Sequence, residues 1–169
     1  MKWQNLFLIG IIGRIILKGK DAIAVLTDVP FYDIIRTYKE KFFPQIPISL
    51  VLGHMEQESS FRPDAYRAEP QIKDASYGLM QLLHGTAKWQ GYNGETDGLF
   101  DPMNNIYYGM KYIAYLMGQF PGNQEGFIMA YNEGPGNYRK GRRVQYYYDR
   151  VTKFQKKWQG ILAAKGLAD

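Results

Sequence analysis

A long run of apolar side chains, spaced three and four residues apart, occupies the middle of the chain. The run follows Asp101-Pro102 and consists of Met103, Ile106, Tyr107, Met110, Ile113, Ala114 and Met117. This spacing places the apolar side chains along one face of an α-helix. Asp is a favoured N-cap and Pro suits the first helical turn, so the helix is expected to begin at this dipeptide. We predict that it is central to the fold.

The same spacing predicts further helices on both sides of this one. They run from about Phe31 to Tyr38, from Ile48 to about Phe61, briefly after Gly85-Thr86, from an Asn123 cap to Asn132, and from about Arg143 to Ala163. Residues 64–76 and 91–98 are polar and show no apolar period, which predicts surface loops. No alternating strand pattern of useful length competes, so the predicted fold is mostly α.

Composition limits the classes of protein that remain. A length of 169 residues suits a single domain, and 46% hydrophobic against 22% charged residues excludes a disordered chain. The absence of cysteine excludes disulfides, thiolate zinc sites and thiol nucleophiles. The two histidines, His54 and His84, do not lie in a ligand spacing. We therefore expect no metal and no cofactor.

The N-terminal segment, residues 1–29, is predicted to be separate from a domain at residues 30–169. Its apolar run from Leu6 to Leu17 is interrupted by Gly10, Gly13 and Arg14. A spanning helix needs about 20 apolar residues, so this run suits a signal segment or a weak membrane anchor. A helix packed against the domain or lying on a surface is the alternative, and the sequence leaves both open.

Two carboxylates near the end of the second helix are candidates for catalysis. Apolar positions 48, 51, 52 and 55 define a stripe, and at 100° per residue Ser59 falls near its centre. Glu56 and Glu58 flank that stripe symmetrically. Apolar surroundings tend to raise the pKa of a carboxyl group. General-acid catalysis requires such a raised pKa, because the carboxyl must still be protonated near neutral pH. Helical geometry alone does not choose between them.

Four short motifs resemble one enzyme family. They are ESSFRPDA at residues 58–65, SYGLMQ at 76–81, LFDP with a following NI at 99–106, and AYNEGPG at 130–136. In this order and near this spacing they resemble the soluble lytic transglycosylase family, over roughly residues 31–155. Goose-type lysozymes are more distant relatives with the same layout.

The resemblance implies a single lysozyme-like helical domain with a substrate groove. The groove would bind the alternating N-acetylglucosamine and N-acetylmuramic acid strand of peptidoglycan. Glu58 matches the catalytic acid of the family because it directly precedes the serine of the Glu-Ser motif, whereas Glu56 does not. In that role Glu58 would protonate the oxygen of the β-1,4 bond between the two sugars.

The product of cleavage is left open between two outcomes. By the resemblance, the substrate's acetamido group and 6-hydroxyl replace a second carboxylate, and Glu58 then takes up the hydroxyl proton, which leaves a 1,6-anhydromuramic end. Hydrolysis needs a second carboxylate that activates water. Glu69, Asp74, Asp97 and Asp101 lie in or beside the predicted cleft loops. Asp101 is better explained as a helix cap and the others as solubilising loop charges, and the alternative is that Asp74 or Glu69 acts as the base.

Other positions are carried over from the family as substrate-binding or orienting residues. They are Ser59, Met80, Gln81, Ala130, Tyr131 and Asn132. For Met80, packing in the core is an equal alternative. A tyrosine near the start of the last helix is expected to orient Glu58, and Tyr147 fits best, with Tyr146 and Tyr148 as neighbours.

The chain also departs from the family. It has about five extra residues between Glu58 and Gly78, at 69–73, and Arg67 stands where a groove serine is expected. Contacts to the peptide-bearing sugar are therefore not assigned to any residue.

The formal charge of +5 favours an anionic partner. No nucleic-acid-binding motif is present, so we expect peptidoglycan as the partner and, through the basic face from Arg139 to Lys157, an anionic envelope or outer-membrane surface. The expected protein is a monomeric phage lytic protein or bacterial wall-remodelling enzyme that acts on the cell wall, in the periplasm, outside the cell or carried by a phage. Residues 6–17 would supply any membrane association. The rival hypothesis is a non-catalytic wall-binding or phage-tail structural module.

Overall fold

The computed structural model describes residues 28–169, which form seven α-helices and one small sheet. The helices are α1 Tyr32–Phe42, α2 Ile48–Ser59, α3 His84–Trp89, α4 Pro102–Gln119, α5 Gln124–Glu133, α6 Pro135–Arg139 and α7 Gln145–Ala164. The strands are β1 Tyr66–Glu69, β2 Asp74–Tyr77 and β3 Leu82–Leu83, and 3₁₀ turns span Pro70–Ile72 and Thr96–Phe100. The prediction of a mostly α fold is confirmed.

The predicted starts of α4 and α5 are confirmed by capping hydrogen bonds. The Asp101 carboxylate accepts from the backbone N–H groups of Met103 at 2.7 Å and Asn104 at 3.2 Å. The Asn123 side chain accepts from the Gly126 N–H at 2.8 Å. Both side chains satisfy donors that the first helical turn leaves without a helical partner.

Helix α2 lies in the core and packs closely on α7. Its residues from Ile48 to Met55 are all buried, including the polar Ser49 and His54, so this helix is enclosed on nearly all sides. Gly53 permits the close approach, because a Cβ at this position would lie 3.0 Å from the backbone oxygen of Val151 and from the backbone nitrogen of Gln155. This contact brings the first turns of α7 next to the C-terminal end of α2.

The prediction of a loop over residues 64–76 is wrong. This segment forms β1, a 3₁₀ turn and β2, which pair antiparallel with Tyr66 opposite Tyr77 and Glu69 opposite Asp74. β3 adds to the other edge of β2. Strands of two to four residues are too short to show an alternating pattern, and β1 is mostly exposed. The extra residues 69–73 form the tip of this hairpin.

Two other segments also differ from the prediction. The C-terminal part of the predicted loop at 91–98 enters the 3₁₀ turn that begins at Thr96. Gly134 ends α5 with a positive φ of 78°, but Pro135 then starts the short helix α6, which had not been predicted. Proline can begin a new helix even though it cannot continue one.

The predicted apolar run at residues 6–17 lies outside the described residues. Within residues 28–169, no helix has the length and apolar character that crossing a membrane requires.

Candidate active site

Glu58 lies in the last turn of α2 and lines a groove of about 690 Å³. The side chains around it come from the hairpin, from β3 and α3, and from α4 to α6. The groove lining includes Arg67, Glu69, Gln81, Thr86, Tyr112, Tyr131, Asn132, Glu133 and Arg142. A groove of this size accommodates several sugar rings.

The hydroxyl of Tyr147 holds the Glu58 carboxyl group in place. It lies 2.5 Å from Glu58 Oε1 and is buried. Its neighbour Tyr146 is 67% exposed and accepts a hydrogen bond from Arg150 instead. The close packing of α2 on α7 therefore selects Tyr147 as the tyrosine that contacts the acid.

Burial raises the pKa of Glu58 from 4.5 to about 7. The hydrogen bond from Tyr147 and the positive charge of Arg67 act in the opposite direction, while the negative charge of Glu69 adds to the rise. A large share of the Glu58 side chains is therefore protonated at neutral pH. This is the protonation state that a general acid needs before it can donate.

His54 extends this hydrogen-bonded chain into the core. Its Nδ1 lies 3.1 Å from the Tyr147 hydroxyl, and burial lowers its pKa to about 3, so the ring is neutral. When Tyr147 donates its single proton to ionised Glu58, the His54 Nδ1–H must donate to the tyrosine oxygen. His54 was not predicted to belong to the site. Its position one helical turn before Glu58 is the signal that would have found it.

The second candidate carboxylate, Glu56, faces away from the groove lining. Its oxygens accept from Lys157 Nζ at 2.7 and 2.8 Å and from Trp158 Nε1 at 2.7 Å. These contacts tie Glu56 to α7. The two carboxylates that flank the apolar stripe symmetrically in the sequence thus have different surroundings, and Glu58 is the one in the groove.

The predicted groove residues divide into two groups. Gln81, Tyr131 and Asn132 line the groove. Ser59, Met80 and Ala130 are buried behind it. The Ser59 hydroxyl donates to the Leu79 carbonyl at 2.8 Å, and the Met80 side chain fits against Gly109, where a Cβ would lie 2.2 Å from its sulfur.

The buried side chains of Ser59, Met80 and Ala130 thus pack in the core and support the groove wall. Tyr131 joins the two groups. Its hydroxyl donates to the Met80 carbonyl at 2.9 Å, and its ring packs 4.6 Å from that of His54.

Asn105 holds the turn that carries Gln81. Its side-chain oxygen accepts from the Met80 N–H at 2.8 Å, and its amide donates to the carbonyls of Tyr77 and Leu99 at 2.8 and 2.7 Å. Gly78 allows this contact because it has a φ of 68° and because a Cβ there would lie 2.5 Å from the Asn105 amide nitrogen. The Gln81 amide in turn donates to the carbonyls of Ala65 and Gly78.

Two ion pairs line the groove, and sequence reasoning assigned neither. Arg67 Nε lies 2.7 Å from Glu69 Oε1 on the hairpin, and Arg142 Nε lies 3.2 Å from Oε2 of Glu133, the last residue of α5. Arg67 lines the groove. In the sequence it stands where the resemblance to the family led us to expect a serine. The hairpin insertion gives this wall a charged surface.

Hydrolysis would need a second carboxylate, and Glu69, Asp74, Asp97 and Asp101 are the four candidates from the sequence. Of these, Glu69 is the one that lines the groove. Asp74 accepts from the backbone N–H groups of Ala75 and Gly85, Asp97 is exposed in the 3₁₀ turn, and Asp101 caps α4. Glu69 itself accepts from Arg67, Gln71 and Ser76, which leaves it limited capacity to hold a water. Residues 28–169 contain no cluster of three or more His, Asp or Glu side chains that could hold a metal ion.

The fold and the groove define a compact helical domain built around one buried, partly protonated glutamate. The model of the transglycosylase SLT domain family matches residues 35–155. The chain belongs to this family, which confirms the resemblance inferred from the four motifs.

Named relatives are lytic transglycosylases. The chain is 36% identical over 102 residues to membrane-bound lytic murein transglycosylase C of Haemophilus influenzae, covering 52% of this chain and 27% of that protein. It is 34% identical over 104 residues to the soluble lytic murein transglycosylase of Escherichia coli, covering 56% of this chain and 15% of that protein. The chain thus matches less than a third of the length of either relative.

Solved structures of this family share the fold. The 70 kDa soluble lytic transglycosylase of Escherichia coli superposes with a TM-score of 0.55 at 28% identity, covering 76% of this chain and 22% of that one. An inactive Glu-to-Gln mutant of the lytic transglycosylase Slt of Pseudomonas aeruginosa gives 0.54 at 27% identity, with the same coverage of both chains. A complex of the 70 kDa enzyme with bulgecin A gives 0.58 at 25% identity.

Proposed function

We propose that this protein cleaves the β-1,4 bond between N-acetylmuramic acid and N-acetylglucosamine in peptidoglycan, with Glu58 as acid and then as base. The observation that carries the proposal is the Glu58 carboxyl group, which lines the groove, has a pKa raised to about 7 and is held by Tyr147. Membership in the transglycosylase SLT domain family supports the same chemistry.

The proposed reaction needs one carboxyl group and no water. Protonated Glu58 gives its proton to the glycosidic oxygen as the bond to C1 breaks, and the muramic acetamido oxygen attacks C1. The 6-hydroxyl then displaces the acetamido oxygen, and its proton returns to the Glu58 carboxylate. Tyr147 stabilises the ionised carboxylate between the two steps by donating a hydrogen bond.

Hydrolysis is the second candidate, and Glu69 is the observation that favours it. It lines the same groove as Glu58, and its charge raises the pKa of that acid, so the two carboxylates face a common space. In a hydrolytic reaction Glu69 would orient a water toward C1 and accept its proton. Its three hydrogen-bond donors oppose this role, because they reduce the basicity of the carboxylate.

Mass spectrometry of peptidoglycan digested with the purified protein tests the proposal. We expect muropeptides with 1,6-anhydromuramic ends, which are lighter by one water than the reducing ends that hydrolysis leaves. Reducing ends would favour the hydrolytic candidate. Absence of any cleavage by the folded protein would contradict both reactions and favour a non-catalytic module.

The pH dependence of cleavage is expected to follow Glu58. Because the acid must be protonated, kcat/KM should fall as the pH rises above about 7. Glu69→Gln removes a negative charge that raises the pKa of Glu58, so the alkaline limb should move to lower pH. Arg67→Gln removes a positive charge and should move it to higher pH. Rates on soluble glycan strands between pH 5 and 9 measure both shifts, and shifts in the same direction would contradict this electrostatic account.

The same Glu69→Gln variant distinguishes the two reactions. If Glu69 orients a water, its loss should lower the fraction of reducing ends among the products. An unchanged ratio of anhydro to reducing ends would remove Glu69 from the chemistry and leave it only its effect on the pKa of Glu58.

We also propose that the exposed cations of α7 bind the anionic envelope. Lys153 and Lys156 are exposed, whereas Lys157 already pairs with Glu56. Replacing Lys153 and Lys156 by Gln should weaken sedimentation with anionic vesicles or cell-wall sacculi at low salt. A matched control replaces the exposed Lys41 and Lys88. Equal binding by both double variants would rule out a specific role for α7.

The proposed site of action is the cell wall, reached in the periplasm, from outside the cell or with a phage. The names of the relatives, which call them murein transglycosylases, support this location. A monomeric state also remains a prediction.

A further inference from the structure

Trp89 is the most exposed tryptophan that the structure describes, with 61% of its surface accessible. It is the last residue of α3, and its ring meets the edge of the Tyr115 ring at a centroid distance of 4.7 Å. Tyr112 and Tyr115 lie nearly parallel, with ring centroids 6.2 Å apart. We call these three rings the aromatic shelf; Trp89 is exposed, while Tyr112 and Tyr115 are half-buried and support it.

The shelf belongs to a second cavity that adjoins the groove. This cavity has a volume of about 290 Å³ and is lined by the shelf together with Gly85, Thr86 and Pro135. Thr86 and Tyr112 line both the cavity and the groove of Glu58. The shelf is therefore adjacent to the groove, within reach of a chain of sugars longer than the groove itself.

The shape and chemistry of the shelf suit a sugar ring. One face of an N-acetylated pyranose consists of C–H groups, while its hydroxyl and acetamido groups point outward in the plane of the ring. Such a ring can cover an aromatic side chain and keep its polar groups hydrated. A large exposed tryptophan next to a polar groove is typical of a binding surface, whereas an isolated exposed apolar residue carries no such meaning.

We propose that the aromatic shelf is an additional sugar-binding subsite, which stacks a pyranose ring of the same glycan strand that occupies the groove. The inference rests on the proposed function for the identity of the strand. The shelf binds the ring through Trp89 and, by adding one anchoring point, sets the position along the strand at which Glu58 meets a glycosidic bond. Cleavage would then favour strands long enough to reach the shelf.

Binding of chitin oligosaccharides to the Glu58→Gln variant tests the shelf apart from catalysis. N-acetylglucosamine oligomers from two to eight sugars are titrated by calorimetry and by tryptophan emission. We expect the affinity to rise with length up to the oligomer that reaches the shelf, with a blue shift of the Trp89 emission at that step. In this background Trp89→Ala should lose that step, with at least a tenfold weaker affinity for the longest oligomers and unchanged affinity for the shortest. Trp89→Phe should retain part of it.

Phe42→Ala provides the matched control, because Phe42 is an exposed aromatic residue on α1 outside both cavities. Equal affinities of the Trp89→Ala and Phe42→Ala variants for every oligomer would overturn the proposal, and so would the absence of oligomer binding. Loss of self-association in Trp89→Ala with unchanged oligomer affinity would assign the shelf to contacts between copies of the chain and would also overturn it. Failure of the proposed function would appear elsewhere, as absence of peptidoglycan cleavage by the parent protein.

Discussion

Glu58→Gln is expected to lower the rate of peptidoglycan cleavage by at least about a thousandfold, since general acid–base catalysis contributes roughly 10²–10⁴ and this residue would act in both steps. Glutamine keeps the shape of the side chain and can still accept the hydrogen bond from Tyr147. Its amide protons are far too weakly acidic to be transferred to the glycosidic oxygen. The loss of turbidity of purified sacculi, together with mass spectrometry of the released muropeptides, measures the effect.

Glu56→Gln provides the matched control for this experiment. Glu56 lies two residues away on the same helix, but it contacts Lys157 and Trp158 on α7 and does not line the groove. We expect this variant to cleave at a rate close to that of the parent protein. Cleavage at the parental rate by Glu58→Gln would refute the assignment of the acid.

The same substitution should also change the stability of the protein. The Glu58 carboxyl ionises above pH 4.5 in an exposed chain but only above about pH 7 in the folded protein. Unfolding between these values releases a proton, so the stability of the parent falls as the pH rises through this window. At pH 8 this difference in pKa lowers the free energy of unfolding of the parent protein by about 3 kcal/mol. At pH 4 it changes that free energy by almost nothing.

Glutamine does not ionise, so Glu58→Gln should be more stable than the parent by about this amount at pH 8. Urea unfolding at pH 4 and pH 8 measures the two differences. A stabilisation that does not depend on pH would show that ionisation of Glu58 is not its cause.

The second large effect is expected from Asn105→Ala, which should destabilise the protein by about 3–5 kcal/mol, because three buried main-chain groups would lose their partner. The Asn105 side chain has no exposed surface and bonds the N–H of Met80 and the carbonyls of Tyr77 and Leu99. The substitution should also loosen the turn that carries Gln81, and cleavage should fall even at temperatures where the variant is folded. Urea unfolding and rate measurements on the folded variant test both effects.

Asn104→Ala is the control for this prediction. Asn104 is the preceding residue and makes a single side-chain hydrogen bond, to the carbonyl of Gly98. Its loss should cost about 1 kcal/mol, as is typical for one hydrogen bond. Equal unfolding midpoints for the two variants would show that the three buried bonds of Asn105 contribute no more than that one.

The helical part of the fold could be predicted because helix formation follows local rules. The apolar spacing of α4, its Asp101 cap and the Asn123 cap of α5 each depend on residues within one or two turns, and the structure has them where they were expected. The hairpin could not be predicted in the same way. Its strands are held by cross-strand pairs such as Tyr66 and Tyr77 and by the sheet edge at β3, and four residues are too few to show a pattern.

In the candidate site, too, some features could be predicted from local sequence and others depend on the folded backbone. The Glu-Ser and Gly-Leu-Met-Gln motifs identified its residues, but they did not distinguish side chains in the groove from side chains behind it. Met80 and Gln81 are adjacent in sequence, yet one is buried against Gly109 and the other lines the groove. The backbone of the turn decides this, and Gln81 adopts a positive φ of 46° there.

The helical framework, the family and the choice of Glu58 as candidate acid follow from the order of the residues alone, because local periodicity and short motifs carry that information. The different surroundings of Glu58 and Glu56 depend on contacts between distant parts of the chain. Tyr147, 89 residues further along the chain, holds the first, and Lys157, 101 residues from Glu56, neutralises the second. A pKa depends on burial and on neighbouring charges in space. The close packing of α2 on α7 therefore buries the Glu58 carboxyl beside Tyr147 in the groove and ties Glu56 to Lys157 and Trp158.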